Sequence, residues 1–431
     1  MKILYYSKNN REKIYKYLQR PALDLSKYRG QVLQTIKDVR KNGDKALRLY
    51  TERFDGVKLK SFRVSQKSLL KAYQKTSPLL LKSLRIAADN IKKFYKPNEP
   101  QNRTAETVPG VYCRRITKPL ASVGLYIPAG SAPLVSTVLM LGVPAKIAGV
   151  SRIAVCSPPQ KDGKVNSAIL ATCKLLGIEE VYAMGGAQAI AALAYGTASI
   201  PKVDKIVGPG NAYVTAAKAE VSIDPQGAAI DMLSGPSELL VIADSTADPR
   251  FVSADLVAQA EHDPLAKVIL VSNSLKIIVS TRSELARQLK SLPRKNIAGQ
   301  ALQNCLFVVV PQLSAAVEIA NAYAPEHLSI QIKNPTKLFS GITNAGSVFL
   351  GSFAPEAIGD YCSGTNHALP TMGTARFAGG VSVQTFQKTF TAQSLTKKGL
   401  KALAETAGVL ARAEGLEGHA RSVEIRLASD N

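Results

Sequence analysis

The sequence predicts an α/β protein with two Rossmann-like parallel-sheet domains, a helical N-terminal region and a helical C-terminal arm. Three observations carry that prediction. From Ala121 onward, short β-branched runs alternate with Ala-rich helical stretches, the cadence of strand, crossover helix and strand. The nine such runs are too many for one mononucleotide-type unit and suit two. On either side of them, apolar residues recur at helical spacing instead.

Residues 1–120 read mainly as helices packing on the core. Val32 to Phe54 keeps the helical spacing, interrupted only near Gly43. Ser77 and Pro78 form an N-cap and first helical position for a helix running to Tyr95, with Lys and Arg opposite its apolar stripe. The strands expected next are Val123–Ile127, Arg152–Cys156, Glu180–Met184, Lys205–Val207, Leu239–Ala243, Val268–Val271, Leu306–Val310, Leu328–Ile332 and Ser347–Leu350. The break at Ser234-Gly235-Pro236-Ser237 divides them into a first domain, 121–235, and a second, 236–383. Residues 384–431 turn polar and helical again, and Ser394 to Leu427 reads as a C-terminal helical arm.

Composition narrows the function. At 431 residues and 46% hydrophobic, with no low-complexity tract, the chain is a folded globular one. No run approaches the roughly 18 apolar residues of a membrane span, and Met1 to Lys13 lacks the apolar core of a signal peptide. The expectation is a cytoplasmic enzyme without membrane contact. Five cysteines with no C-x-x-C pair argue against a disulfide framework or a thiolate zinc site. Only Cys362 neighbours the candidate site, and it lacks a cation to activate its thiol.

The net charge of +23 is regional: residues 1–120 hold 29 Lys and Arg against 9 Asp and Glu, the remainder 26 against 23. Those basic residues are dispersed among Leu, Ile and Tyr on solvated helix faces, and no finger, zipper or RNP-like motif accompanies them. Nucleic acid is therefore not the expected partner.

All four histidines lie beyond position 260, each among acidic, amide or glycine neighbours, which favours metal binding or proton transfer over packing. Gln259 and His262 stand three apart at the end of a helix beginning near Pro249, so both project from one face, and Pro264 closes the helix behind them. That face is half of a metal site. On residue chemistry alone Glu261 ranks ahead of Gln259, an amide being an uncommon zinc ligand. Asp360 and His419 could complete a four-ligand N/O shell, but spacing alone leaves open a capping His262 and a surface His419.

Glu326-His327 precedes the strand Leu328-Ser329-Ile330, which places both at a strand mouth of the kind where open α/β sheets bind ligands. A carboxylate beside an imidazole can divide proton work, one activating water and the other taking a hydroxyl proton. Glycine turns at Gly130, Gly185-Gly186 and Gly208-Pro209-Gly210-Asn211 follow strands and feed helices. They read equally as phosphate cradles or as tight αβ turns.

With these residues in view, the chain resembles histidinol dehydrogenase from about Val32 to His419. The motifs include Gly124-Leu125-Tyr126-Ile127-Pro128, Gly185-Gly186-Ala187-Gln188, Val207-Gly208-Pro209-Gly210-Asn211, Gly235-Pro236-Ser237-Glu238, Ala260-Glu261-His262, Ala324-Pro325-Glu326-His327-Leu328 and Gly359-Asp360-Tyr361. The resemblance implies a zinc-requiring oxidation of L-histidinol through L-histidinaldehyde to L-histidine with two NAD+, the last steps of histidine biosynthesis. It implies one zinc per subunit held by Gln259, His262, Asp360 and His419, which selects Gln259 over Glu261. It implies His327 as base for the alcohol and Glu326 as activator of water. Ser237, Gln259, His262, His327, Asp360, His367, Glu414 and His419 match substrate-contacting positions, and Tyr126, Gln188 and Asn211 match NAD positions. It further implies a homodimer whose C-terminal arm donates Glu414 and His419 to the partner's site. The chain departs from the family pattern at Leu233-Ser234 and over 377–381. Rival readings are a relative acting on another small alcohol and a zinc hydrolase working through Glu326.

Overall fold

A computed structural model describes residues 2–20, 24–96, 102–130 and 132–428. Two parallel sheets form its body, and each expected strand is present within a residue or two of its expected bounds. In chain order the strands are β1 (Lys2–Tyr5), β2 (Arg103–Val108), β3 (Val111–Pro119), β4 (Ser122–Tyr126), β5 (Arg152–Ser157), β6 (Glu180–Ala183), β7 (Lys205–Val207), β8 (Ala229–Ile230), β9 (Glu238–Ala243), β10 (Lys267–Ser272), β11 (Leu306–Val309), β12 (His327–Gln331), β13 (Ser347–Leu350) and β14 (Gln387–Leu395).

The first parallel sheet has the order β6-β5-β4-β7-β8, the second β1-β11-β10-β9-β12-β13. Without β1, each runs third, second, first, fourth, fifth in its own chain order, the doubly wound arrangement with one switch point. Each sheet is covered on both faces, because neighbouring residues of a strand point opposite ways. On β4, Val123 and Leu125 join one apolar core and Tyr126 the other; on β9, Leu240 and Ile242 face one core, Leu239 and Val241 the other.

The N-terminal third is not all helix. Helices Ser26–Asn42, Asp44–Asp55 and Pro78–Tyr95 lie where the periodicity put them. The first two meet at Gly43, whose φ of +51° favours glycine, and Ser77 caps the third through the Leu80 N–H. But β1 pairs with β11, so the first residues extend the second sheet. β2 and β3 form a separate antiparallel sheet with β14. Their residues alternate Arg, Thr, Glu and Lys with few apolar ones, and most are exposed, so the apolar alternation of a half-buried strand is missing. β14 also occupies the start of the segment expected to be helical; helices Lys397–Ala413 and Glu417–Ala428 follow it. Among the described residues no helix is long and apolar enough to cross a membrane.

Candidate active site

A cavity opens between the two parallel sheets, lined among others by Pro209, Asp231, Ser237, Gln259, His262, Glu326, His327, Asp360 and His367. Pro209 and Asp231 follow the carboxyl ends of β7 and β8, as the rule for open sheets requires. The residues of the second sheet do the opposite: Ser237, Glu326 and His327 stand at the amino ends of β9 and β12. The strand mouth expected for Glu326-His327 is thus the entry end of its strand, where two sheets face each other.

Glu238, the first residue of β9, anchors both. Its backbone N–H donates to Glu326 Oε2 at 2.8 Å, and its carbonyl lies 3.1 Å from His327 Nδ1. A carbonyl can only accept, so Nδ1 carries a proton, and Nε2 becomes the nitrogen available to take another. Nε2 is buried without a hydrogen-bond partner, 3.4 Å from Asp360 Oδ1. Nδ1 is 3.6 Å from both Glu326 Oε2 and Glu356 Oε1.

Three carboxyl groups around one imidazole set the electrostatics. Burial opposes charge on His327, but Glu356, Glu326 and Asp360 outweigh it and hold its pKa well above the ordinary value. Burial raises Glu326 to about 8 against the pull of His327 and the Glu238 N–H. Glu356 is raised by burial, and its acidic neighbours add to the shift. Asp360 is also penalised by burial, yet its contact with His327 keeps it below the usual range. So acidic a pocket favours a cation, and His327, Glu356 and Asp360 offer ligand atoms within 4.8 Å of one another.

Helix Pro249–Ala260 starts on the Asp248 N-cap and delivers Gln259 and His262 to this cavity. With its nitrogen turned toward Glu356 Oε1, the Gln259 amide accepts the Glu238 N–H at 2.9 Å. Glu261 caps that helix and does not line the cavity. His367 donates from Nδ1 to the Asp360 backbone carbonyl at 2.9 Å and lies 3.1 Å from Thr137 Oγ1 through Nε2, which fixes the ring between two elements. Amide oxygen, imidazole and carboxylate make a donor set that fits zinc. Glu414 and His419 are elsewhere: exposed, they line a separate cavity between the last two helices.

Tyr126, Gln188 and Asn211 line one further cavity, with Asp55, Gly186 and Tyr213 among its other residues. It sits at the carboxyl ends of β4, β6 and β7, across the switch point of the first sheet. Both amide atoms of Gln188 are buried there without partners. Helix Gly186–Tyr195 begins at its wall, and the Gly186 N–H donates to Tyr126 Oη at 3.1 Å. Unsatisfied polar atoms beside a glycine-led helix start fit a phosphate-bearing dinucleotide. The buried thiols of Cys156, Cys173 and Cys305 have pKa values raised by burial, as befits packing residues.

Sequence reasoning gave no role to Glu356, Glu238 or Asp55. The four-residue step from Glu356 to Asp360, on one helix face, was the available signal for the first.

Known proteins resemble this chain over nearly its whole length. A family model described as histidinol dehydrogenase matches residues 18–427. A histidinol dehydrogenase of Vibrio parahaemolyticus is 50% identical over 411 residues, covering 95% of this chain and 94% of its own; one of Xylella fastidiosa is 48% identical over 415 residues, covering 96% of each chain. The crystal structure of histidinol dehydrogenase from Elizabethkingia anophelis superposes with a TM-score of 0.95 at 44% identity, covering 100% of this chain and 98% of that one.

Proposed function

The chain belongs to the histidinol dehydrogenase family, and on that premise we propose that it oxidises L-histidinol through L-histidinaldehyde to L-histidine. In this reading the electron acceptor is NAD+, used twice, and one zinc ion serves each subunit of a cytoplasmic homodimer. The observation that carries it is the joint anchoring of Glu326 and His327 on Glu238 at the wall that also holds Gln259, His262 and Asp360.

His327 Nε2 takes the alcohol proton while the carbinol hydrogen leaves with its electron pair. The carboxyl groups around His327 stabilise the imidazolium formed when it takes that proton. Glu326 then accepts a proton from the water that adds to the aldehyde carbon. A carboxyl lifted to about 8 is a stronger base than an exposed one, though a smaller fraction of it is ionised at neutral pH. The anionic hydrate so formed loses its carbon-bound hydrogen, with the electron pair, to the second NAD+ and its remaining hydroxyl proton to His327, which has by then released the first, leaving the carboxylate. Zinc, held by Gln259, His262, Asp360 and the partner's His419, would supply a fixed positive centre for the substrate's imidazole and amino nitrogens. Ser237 and His367 stand on the same cavity wall to orient it. Tyr126, Gln188 and Asn211 hold the dinucleotide. The test is product analysis: protein, L-histidinol and NAD+ should yield L-histidine, and oxidation of simple diols at an equal rate would contradict the assignment.

A further inference from the structure

We propose that Arg20 is a positioning residue for Glu326 and His327, acting through Glu238. Arg20 follows helix Arg11–Leu18, far in sequence from the site. Its guanidinium grips the Glu238 carboxylate with both arms, Nε to Oε1 at 2.5 Å and Nη2 to Oε2 at 2.6 Å. Glu238 is 2% exposed and Arg20 12%. The only other group on that carboxylate among the described residues is the Met372 N–H, at 3.0 Å. A carboxylate so buried is tolerated only with a partner of matching geometry, and the planar fork supplies it.

The grip matters because of what the backbone of Glu238 does. Its N–H and carbonyl hold Glu326 and His327, so a shift of the Glu238 backbone moves both. Arg20 also fixes the strand that carries the pair. Nη2 donates to the Ala324 carbonyl at 3.2 Å, and the guanidinium lies 3.7 Å over the Tyr323 ring. Ala324 has φ of +51°, a left-handed turn that costs a non-glycine residue about 1 kcal/mol or more, and it stands two residues before Glu326. One side chain thus ties the start of β9 to the turn before β12.

The kinetic arm of the test rests on the function proposed above; the exchange arm does not. Arg20→Met and Arg20→Lys are prepared with full zinc, with and without Glu238→Gln. Misplacement of reacting groups by a fraction of an ångström supports an expected fall in kcat of roughly 30- to 100-fold for Arg20→Met. The KM for L-histidinol should stay within about threefold. Arg20→Lys, keeping charge without the fork, should recover part of the loss. In the Glu238→Gln background, Arg20→Met should add less than about threefold, because its route is already cut. Hydrogen exchange at the Glu238 amide should quicken at least about tenfold in Arg20→Met, with the centres of both sheets unchanged. Unchanged kcat together with unchanged Glu238 exchange overturns the proposal. So does faster exchange throughout, which would mark Arg20 as a stability residue only. A wild-type protein inactive on L-histidinol would sink the proposed function and leave the exchange result to decide Arg20.

Discussion

Glu326 Oε2 accepts the backbone N–H of Glu238 at 2.8 Å, a bond between the first residue of one strand and the residue preceding its neighbour. Because β9 and β12 pair in parallel, with His327 opposite Leu239, the register sets Glu326 beside Glu238 and places the next side chain, His327, over the same anchor. His327→Ala should lower kcat by about 10²- to 10⁴-fold, the usual worth of a positioned base. Zinc content, measured by atomic absorption, should be unchanged. Glu326→Gln should slow oxidation of L-histidinaldehyde more than that of L-histidinol. Equal loss in both steps would remove the water-activating role.

Glu356 carries no substrate role in this account, but its carboxyl touches the Gln259 amide and stands 3.6 Å from His327. Groups that orient a ligand are worth about 10- to 100-fold in metal affinity. Glu356→Gln should weaken zinc binding by that amount in competition with a chromophoric chelator. An unchanged affinity would reduce Glu356 to a packing residue.

Asp55 contributes to the pH dependence of stability. Burial raises its carboxyl from 3.8 to about 6, so the folded protein binds a proton that the unfolded chain has released. Stability linked to this group is therefore lost as pH rises from about 4 to about 6, and the ionised form is a net cost above that. Discounted for its partial exposure, the cost is about 1–2 kcal/mol. Asp55→Asn should unfold at higher urea concentration than wild type at pH 8, with a smaller difference at pH 5. A constant difference would place the effect elsewhere.

Glu414 and His419 lie on the exposed C-terminal helices, outside the cavity that holds Gln259, His262 and Asp360. If the arm serves the partner subunit, mixing His262→Ala with His419→Ala protein creates heterodimers with one complete site. Random reassortment should then restore about a quarter of wild-type activity, half the dimers being mixed and half of their sites intact. An arm acting within its own chain would restore none.

Much of this was legible because the parallel strands are buried on both faces: a run such as Leu239-Leu240-Val241-Ile242 has few alternatives to a central strand. The antiparallel sheet of β2, β3 and β14 was not, since its exposed Arg, Lys and Thr follow no apolar period. Histidines among acidic neighbours led to Gln259, His262, Glu326, His327 and Asp360, and the structure brings these to one cavity. What the sequence could not reveal is that a second sheet faces the entry ends of β9 and β12, or that Arg20 crosses more than 200 residues of sequence to reach Glu238. Both depend on how separate units dock, which local periodicity does not encode.

The most direct test of the central claim is NADH formed per L-histidinol consumed, by metal-replete and chelator-stripped protein side by side. Two NADH per substrate are expected, lost on stripping and restored by zinc. One NADH or none, or turnover indifferent to the chelator, would contradict that claim.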